Sequence, residues 1–554
     1  MSIILEDGYQ TVFTLFLVLV LVRVARTLFS KDPIDNIPGP HPTSFIGGNL
    51  PQFFDRQGWA FQRELGEKYG AVVKLTTLLG GKWLYVFDPR ALNEIVVKNQ
   101  DVYEETPIFL TGNRLIFGPG LMSTVGEHHR RQRKMLNPAF STSELRELLP
   151  IFRSVTAKLH KGLKARLQNT SQEVDVLDWT TRTALEIIGQ GGLGHSFDPL
   201  VEERPDPAAE AVKALEPTLF PMYILRVFMP HIVKIGSPKF RRTILEWTPY
   251  PRLQRLKDIT DTLENTVTRI LQQKKTALAA GEKAVTQQVG EGKDILSILL
   301  KANMDVPEAD QIPESELLGH MSTFIFAAMS TTSHATSCIL HQLAIHENAQ
   351  IRLRKEIKAE IFKSITGELS YDELMNLPYL DAVCRETLRL YPPVPFIGRR
   401  TQKPTVMPLA TPIKGLDGSS ITSVPIPEQS TVIIAIQSAN TNKAIWGEDA
   451  LEWKPDRWLK LLPQPVLDAG IPGIYSHIMT FLGGGRACIG YKFAELEMKL
   501  MLCTLLTTFS FALCPDKEIF WNIAGIRYPT VGQESTKAEM PLRVSLVKHK
   551  KTNS

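Results

Sequence analysis

Apolar positions in this chain recur mostly at intervals of three and four residues from about residue 55 onward, the spacing of one helical face. The longest such stretch runs from Glu316 to His346, where small or apolar residues return at Met321, Ile325, Ala328, Thr332, Thr336, Ile339 and Leu343. At 1.5 Å per residue this helix is about 45 Å long, enough to cross a whole domain. Its middle reads Ala-Ala-Met-Ser-Thr-Thr, Ala327 to Thr332, a composition suited to close packing. A second helix is expected over Tyr491–Leu506, directly after a glycine-rich loop. Strand patterns are few: Ala71–Phe87 and Ser430–Ile436. The polar, glycine-containing stretch Ala277–Lys293 predicts a surface connection between two helices. The chain therefore reads as mainly α with small β-sheets, without internal repeats.

The N-terminal pattern differs. Leu15–Val22 is unbroken apolar sequence, and a helix over Gly8–Phe29 approaches the ~20 residues needed to cross a bilayer if Arg23 and Arg26 snorkel. Acidic Glu6 and Asp7 precede this run, and Arg23, Arg26 and Lys31 follow it, the reverse of a secretory signal. We read residues 1–30 as an uncleaved transmembrane anchor whose basic flank keeps the remaining chain cytosolic. Pro38, Pro40 and Pro42 mark residues 31–54 as a semi-rigid, proline-rich spacer, leaving 55–554 as one catalytic domain.

Composition narrows the class. With 554 residues, 43% hydrophobic and 22% charged, the chain can bury a large core, and a net charge of +5, spread evenly, gives no footprint for nucleic acid. Five cysteines without a C-x-x-C pair suit a reducing compartment. Cys338, Cys384, Cys503 and Cys514 stand in apolar contexts and read as small buried hydrophobes; Cys488 alone lies among glycines.

That loop, Phe481 to Gly490, reads FLGGGRACIG. It matches Phe-x-x-Gly-x-Arg-x-Cys-x-Gly at Phe481, Gly484, Arg486, Cys488 and Gly490, and so resembles the haem-binding signature of the cytochrome P450 family. Glu386–Arg389 (ETLR) resembles that family's Glu-x-x-Arg helix, and Pro455–Trp458 (PDRW) its arginine-bearing loop, so the similarity spans nearly the whole chain. Physically, a thiolate facing iron needs nearby N–H donors. Gly483, Gly484, Gly485 and Gly490 allow backbone angles that aim amides at sulfur, and the following helix adds its positive N-terminal end. A triple-glycine loop before a helix also suits phosphate, but no Gly-Lys-Ser/Thr follows.

The resemblance implies a haem b (heme b) cofactor, its iron held by Cys488, with further residues around it. Gly126–Ser141 is similar to the family's helix in which a tryptophan and, four residues on, an arginine bind a haem propionate; here His129 takes the tryptophan position and Arg133 matches the arginine. Arg399 and Arg486 are the other implied propionate partners. Glu386, Arg389 and Arg457 imply a structural ion network. Arg130, Arg131 and Lys134 suit a solvated basic face or the docking of an electron donor. In the central helix the family usually has Ala/Gly-Gly-x-Asp/Glu-Thr-Thr. This chain keeps Thr331 but has Ala328 for the glycine and Ser330 for the acid, so the expected catalytic pair is Thr331 with Ser330 ordering water in place of an acid.

The resemblance therefore implies a monooxygenase of the endoplasmic reticulum membrane, taking electrons from NADPH through a separate cytochrome reductase and inserting one atom of O2 into a lipophilic substrate. Gly415–Trp458 is similar to fungal microsomal members, which oxidise terpenoids, sterols, aromatics or xenobiotics, as in secondary metabolism. Phe324, Ile325, Ala327, Ala328 and Met329 are expected to form an apolar pocket wall, with Phe109, Leu110, Ile116, Phe117 and Tyr528–Val531 as weaker candidates. Two other readings stay open: a haem-thiolate isomerase or dehydratase that needs no reductase, and a non-catalytic membrane-bound haem or ligand carrier.

Overall fold

Ala71–Phe87, read as strand-like, folds into a hairpin: Val72–Thr76 runs antiparallel to Lys82–Val86, with Val72 opposite Val86 and Thr76 opposite Lys82. The computed structural model describes residues 32–547 apart from 169, 199, 201–205 and 308–310, so the expected anchor at 1–30 lies outside the described residues. Among the described residues no helix is long and apolar enough to cross a membrane. The chain divides into two compact units.

The first unit takes the chain up to Thr106, Phe396–Ala450 and Pro465–Arg486. Its five-stranded sheet runs in the order Val72–Thr76, Lys82–Val86, Thr431–Ile434, Ile397–Thr401, Tyr103–Glu105. The expected strand at Ser430–Ile436 is thus Thr431–Ile434, parallel to Lys82–Val86. The proline-rich stretch read as a spacer is packed against the edge of this sheet. Ile34, Ile37, Leu50 and Phe53 are buried, Lys74 N–H donates to the Pro38 carbonyl at 2.9 Å, and Thr76 N–H donates to Asn49 Oδ1 at 3.0 Å. Proline cannot donate to a ladder but can accept from one, so an edge strand with free N–H groups can hold it. Phe53 then packs its ring on Phe396, with a centroid separation of 4.6 Å.

The second unit holds Pro107–Pro395, Leu451–Gln464 and Ala487 onward. Its axis is the helix Glu314–Ile345, close to the predicted span, packed by Val176–Ile187, Pro378–Leu390 and Tyr491–Thr508. Small residues permit that packing on either side of Ala327–Thr332, whereas within that segment Ala327, Ala328 and Thr331 keep accessible surface. Thr180 Oγ1 lies 2.8 Å from Ser337 Oγ and also bonds the Ser333 carbonyl, so buried hydroxyls satisfy one another across the contact. Gly319 faces Gly120 so closely that a Cβ on Gly319 would sit 2.8 Å from the Gly120 nitrogen. The unit also holds a three-stranded sheet, Gln172–Asp175, Pro541–Leu546 and Phe509–Leu513, and a two-stranded one in which Tyr528–Val531 pairs antiparallel with Ile519–Asn522. The expected connection at Ala277–Lys293 follows the helix Pro251–Ala279; it is mostly exposed and adds a short helix, Glu282–Thr286, that buries Val285.

Candidate active site

The glycine loop runs from one unit into the other: Phe481, Gly484 and Arg486 belong to the first, Cys488 and Gly490 to the second. Within the first unit the glycines are required by crowding. Gly484 has φ +66°, and a Cβ there would lie 1.7 Å from the Val96 carbonyl oxygen; one on Gly483 would lie 1.7 Å from that of Pro472. Gly485 N–H donates to Gln100 Oε1 at 2.7 Å. Of the four glycines expected to take special backbone angles, only Gly484 does so. Phe481 sets its ring edge against Tyr475, 5.3 Å between centroids.

The same unit carries two of the expected arginines. Tyr103–Glu105 pairs with Ile397–Thr401 so that Glu105 faces Arg399, and Arg399 Nη1 donates to Glu105 Oε2 at 2.7 Å. Arg486 Nη2 donates to Glu104 Oε2 at 2.9 Å. Burial pushes the Glu105 carboxyl above its ordinary value against the pull of Arg399 and Arg486, and burial lowers Arg399 despite Glu105.

In the second unit Cys488 is a free cysteine with accessible surface, whereas Cys338, Cys384, Cys503 and Cys514 are buried, as their contexts predict. Surrounding protein nevertheless desolvates its thiol. Burial raises the Cys488 pKa, while Gly490 N–H and the Arg133 charge pull it down. Gly490 is the N-cap of Tyr491–Thr508 at φ −93°, and a Cβ there would make only ordinary contact with Phe140, at 3.8 Å. Arg133 and the buried His129 share one face of the helix Gly126–Leu136, and Arg133 Nη1 donates to the Ala487 carbonyl at 2.5 Å. Arg130, Arg131 and Lys134 are exposed.

The central helix is buried continuously from Gly319 to Leu343 except at Ala327, Ala328, Thr331 and His334. Those positions fall on one face, since 327, 331 and 334 follow the i, i+4, i+7 pattern. Of the expected wall, Ala327 and Ala328 are accessible, whereas Phe324, Ile325 and Met329 are buried. Phe117, also buried, packs its ring on Phe326 at 5.0 Å, and Phe109, Leu110 and Ile116 keep partial exposure. Thr331 Oγ1 donates to the Ala327 carbonyl at 2.7 Å. Ser330 is buried; its carbonyl accepts from Ser333 Oγ at 3.2 Å and from His334 Nδ1. Sequence reasoning missed His334, though an imidazole three residues beyond Thr331 was a visible signal.

Behind the site, Glu386 is fully buried and accepts from Arg389 Nε and Nη2, each at 2.9 Å, from Trp458 Nε1 at 3.0 Å, from the Lys454 amide at 3.0 Å and from Arg457 Nε at 3.5 Å. This knot joins Pro378–Leu390 to Pro455–Leu459. A thiol in this setting, with an N–H donor and a cation beside it, would suit an iron held through a single soft thiolate.

A family model described as Cytochrome P450 matches residues 37–521. Cytochrome P450 monooxygenase 91 of Postia placenta is 52% identical over 96% of this chain and 97% of its own. A ganoderic acid synthetase of Ganoderma lucidum is 45% identical over 93% of this chain and 94% of its own, and a monooxygenase of Hericium erinaceus is 37% identical over 95% of each. A family match over most of the length, joined to a lone accessible thiol at the head of a helix and a buried Glu-x-x-Arg knot, means that the chain belongs to the cytochrome P450 family and is a monooxygenase.

Proposed function

We propose that this enzyme is a membrane-associated haem-thiolate monooxygenase that takes electrons from NADPH through a separate reductase and oxygenates a lipophilic small molecule. The observation that carries it is Cys488, accessible yet desolvated, with Gly490 N–H and Arg133 favouring its thiolate. Cys488 would hold the haem iron, with Phe481, Gly484 and Gly490 shaping its loop and Arg133, His129, Arg399 and Arg486 holding the propionates. When bound, haem supplies dioxygen binding and its reductive activation. The chain's own part is to keep the sulfur anionic, to present the small residues Ala327 and Ala328 to substrate, and to position protons near Thr331 and Ser330.

A terpenoid, sterol, aromatic or xenobiotic substrate is what the resemblance to fungal microsomal members suggests, and the relative named for ganoderic acid makes the precursors of that acid the first compounds to try. The localisation we propose is the endoplasmic reticulum membrane, single-pass through residues 1–30. In support, the helix Pro238–Trp247 buries none of its residues and exposes Phe240, Ile244 and Trp247 at i, i+4, i+7, a face that suits lipid. Rearrangement without a reductase is the competing reading, favoured by Ser330 in the place of an acid. The test is the reduced, carbon-monoxide-bound spectrum of wild type and Cys488→Ala, followed by turnover with and without NADPH and reductase. A wild-type band that Cys488→Ala leaves unaltered, or product formed without NADPH, overturns the proposal.

A further inference from the structure

Between Gly319 and Leu343 the accessible positions of the central helix include one ionisable side chain. His334 lies one turn beyond Thr331, which places their Cβ atoms about 5–6 Å apart on a shared face. Both of its ring hydrogen bonds run through Nδ1, to the Ser330 carbonyl and, at 3.5 Å, to Ser333 Oγ. A nitrogen against a carbonyl oxygen must carry the hydrogen, so the neutral ring is the Nδ1–H tautomer and Nε2 bears a lone pair. Burial holds this imidazole at about 4, with the Ser330 carbonyl pulling it upward and no charged side chain contributing. The affinity for a proton is therefore close to that of an ordinary carboxylate, although the basic form is neutral.

His320 and His341, on the same helix, differ. The Nδ1 atoms of both accept, from the Leu121 amide at 3.3 Å and from Trp521 Nε1 at 3.2 Å, and both rings are buried. Neither offers an accessible lone pair. Ser330, the residue in the place of the family's usual acid, cannot hold a proton at neutral pH.

We propose that His334 is the proton-holding residue of this site, taking over the titratable role that Ser330 cannot fill. Nε2 takes a proton from a water on the accessible face, giving an imidazolium whose Nδ1–H stays on the Ser330 carbonyl. The same proton leaves from Nε2 to a water beside Thr331, restoring the neutral ring; no electron moves and no other bond changes. His334 acts through water and Thr331, so it is a positioning residue. The inference rests on the monooxygenase reading above.

Two measurements test it. Diethyl pyrocarbonate acylates neutral, accessible imidazoles, and mass spectrometry of the full-length holoenzyme reads each histidine separately. We expect His334 to label at least about threefold faster than His320 and His341, at a rate nearly flat from pH 7 to 5.5, as a ring titrating near 4 requires. Labelling no faster than those two overturns the assignment. The second measurement uses dioxygen itself as the probe, with reductase and NADPH and no organic substrate. Reduction to water consumes four protons per O2 and reduction to hydrogen peroxide two, so the fraction ending as water reports proton supply.

We expect His334→Ala and His334→Gln each to lower that fraction at least threefold while the reduced, carbon-monoxide-bound band stays at the wild-type position. Glutamine retains hydrogen bonding but cannot take up a proton, so a Gln variant equal to wild type overturns the proposal. A wild-type enzyme that reduces dioxygen only with NADPH and reductase, yet is indifferent to both changes, overturns this assignment alone. A wild-type enzyme whose turnover ignores the reductase overturns the monooxygenase reading and this assignment with it.

Discussion

Arg133 Nη1 donates to the carbonyl of Ala487, the residue immediately before Cys488, at 2.5 Å. The contact joins the helix Gly126–Leu136 to the cysteine loop through backbone and sets a guanidinium beside the sulfur, where its charge lowers a thiol pKa that burial raises. The sequence reading gave Arg133 to a haem propionate alone. The structure adds a contact to the loop itself.

Arg133→Ala should therefore raise the Cys488 thiol pKa, because the removed charge favours the thiolate. In haem-free protein, iodoacetamide alkylation of Cys488 at pH 8 is expected to slow measurably, because only the thiolate reacts. Mass spectrometry distinguishes this site from the four buried cysteines. An unchanged rate would mean that Gly490 N–H alone sets the thiolate.

The glycines of the loop separate by the same geometry. Gly484→Ala imposes positive φ on a side chain whose Cβ meets the Val96 carbonyl at 1.7 Å, so backbone must move. A loss of several kcal/mol, seen as a lower melting temperature and poor haem retention, is expected. At Gly490 the same change meets only Phe140 at 3.8 Å and puts alanine at an N-cap, for roughly 1 kcal/mol or less. Equal melting temperatures for the two variants would refute this account.

Much of this was legible in sequence, for physical reasons that differ by element. The central helix was readable because thirty residues of helical periodicity leave little alternative, and the strand character of Val72–Val86 because β-branched and aromatic residues are frequent in it. The Glu386–Arg389 pair followed from i, i+3 spacing, but the Trp458 indole and Lys454 amide that complete the knot come from 72 and 68 residues away. No local pattern encodes such contacts. The spacer misled because prolines signal extended backbone without saying whether a sheet edge is there to receive it. His334 was overlooked because a histidine in an apolar helix is usually buried, like His320 and His341, and only accessibility tells them apart.

Those two buried histidines make a prediction about acid. Burial holds His320 and His341 at about 4 each. Unfolding restores a value near 6.5, so below that pH the unfolded chain binds protons that the folded chain refuses. Stability should fall as pH drops from about 6.5 toward 4, by up to about 1.4 kcal/mol per pH unit for each group, and level off below. His320→Gln removes one of these protons. Its denaturant midpoint, followed from pH 7 to 5, should fall less steeply than that of wild type; identical slopes would show that His320 already titrates normally.

The exposed helix Pro238–Trp247 makes the last prediction. Trp247 is 84% exposed, and Phe240 and Ile244 stand on the same face at 52% and 51%. An apolar stripe of this kind is costly in water unless something covers it. Arg242 does not cover it, being engaged with Asp261 at 2.7 Å and with Glu246 at 2.8 Å, so its charge is neutralised beside the stripe. A lipid surface fits, since a tryptophan at the end of an amphipathic helix settles where acyl chains meet headgroups. In nanodiscs of brominated phosphatidylcholine, full-length protein should show quenched tryptophan emission, with part of the quenching lost in Trp247→Phe. Phe240→Ser with Ile244→Ser should shift the quenching profile toward shallow bromine positions, because a helix stripped of its apolar side chains floats outward. Quenching that is the same with and without Trp247 would place this helix in water and leave its apolar face for another partner.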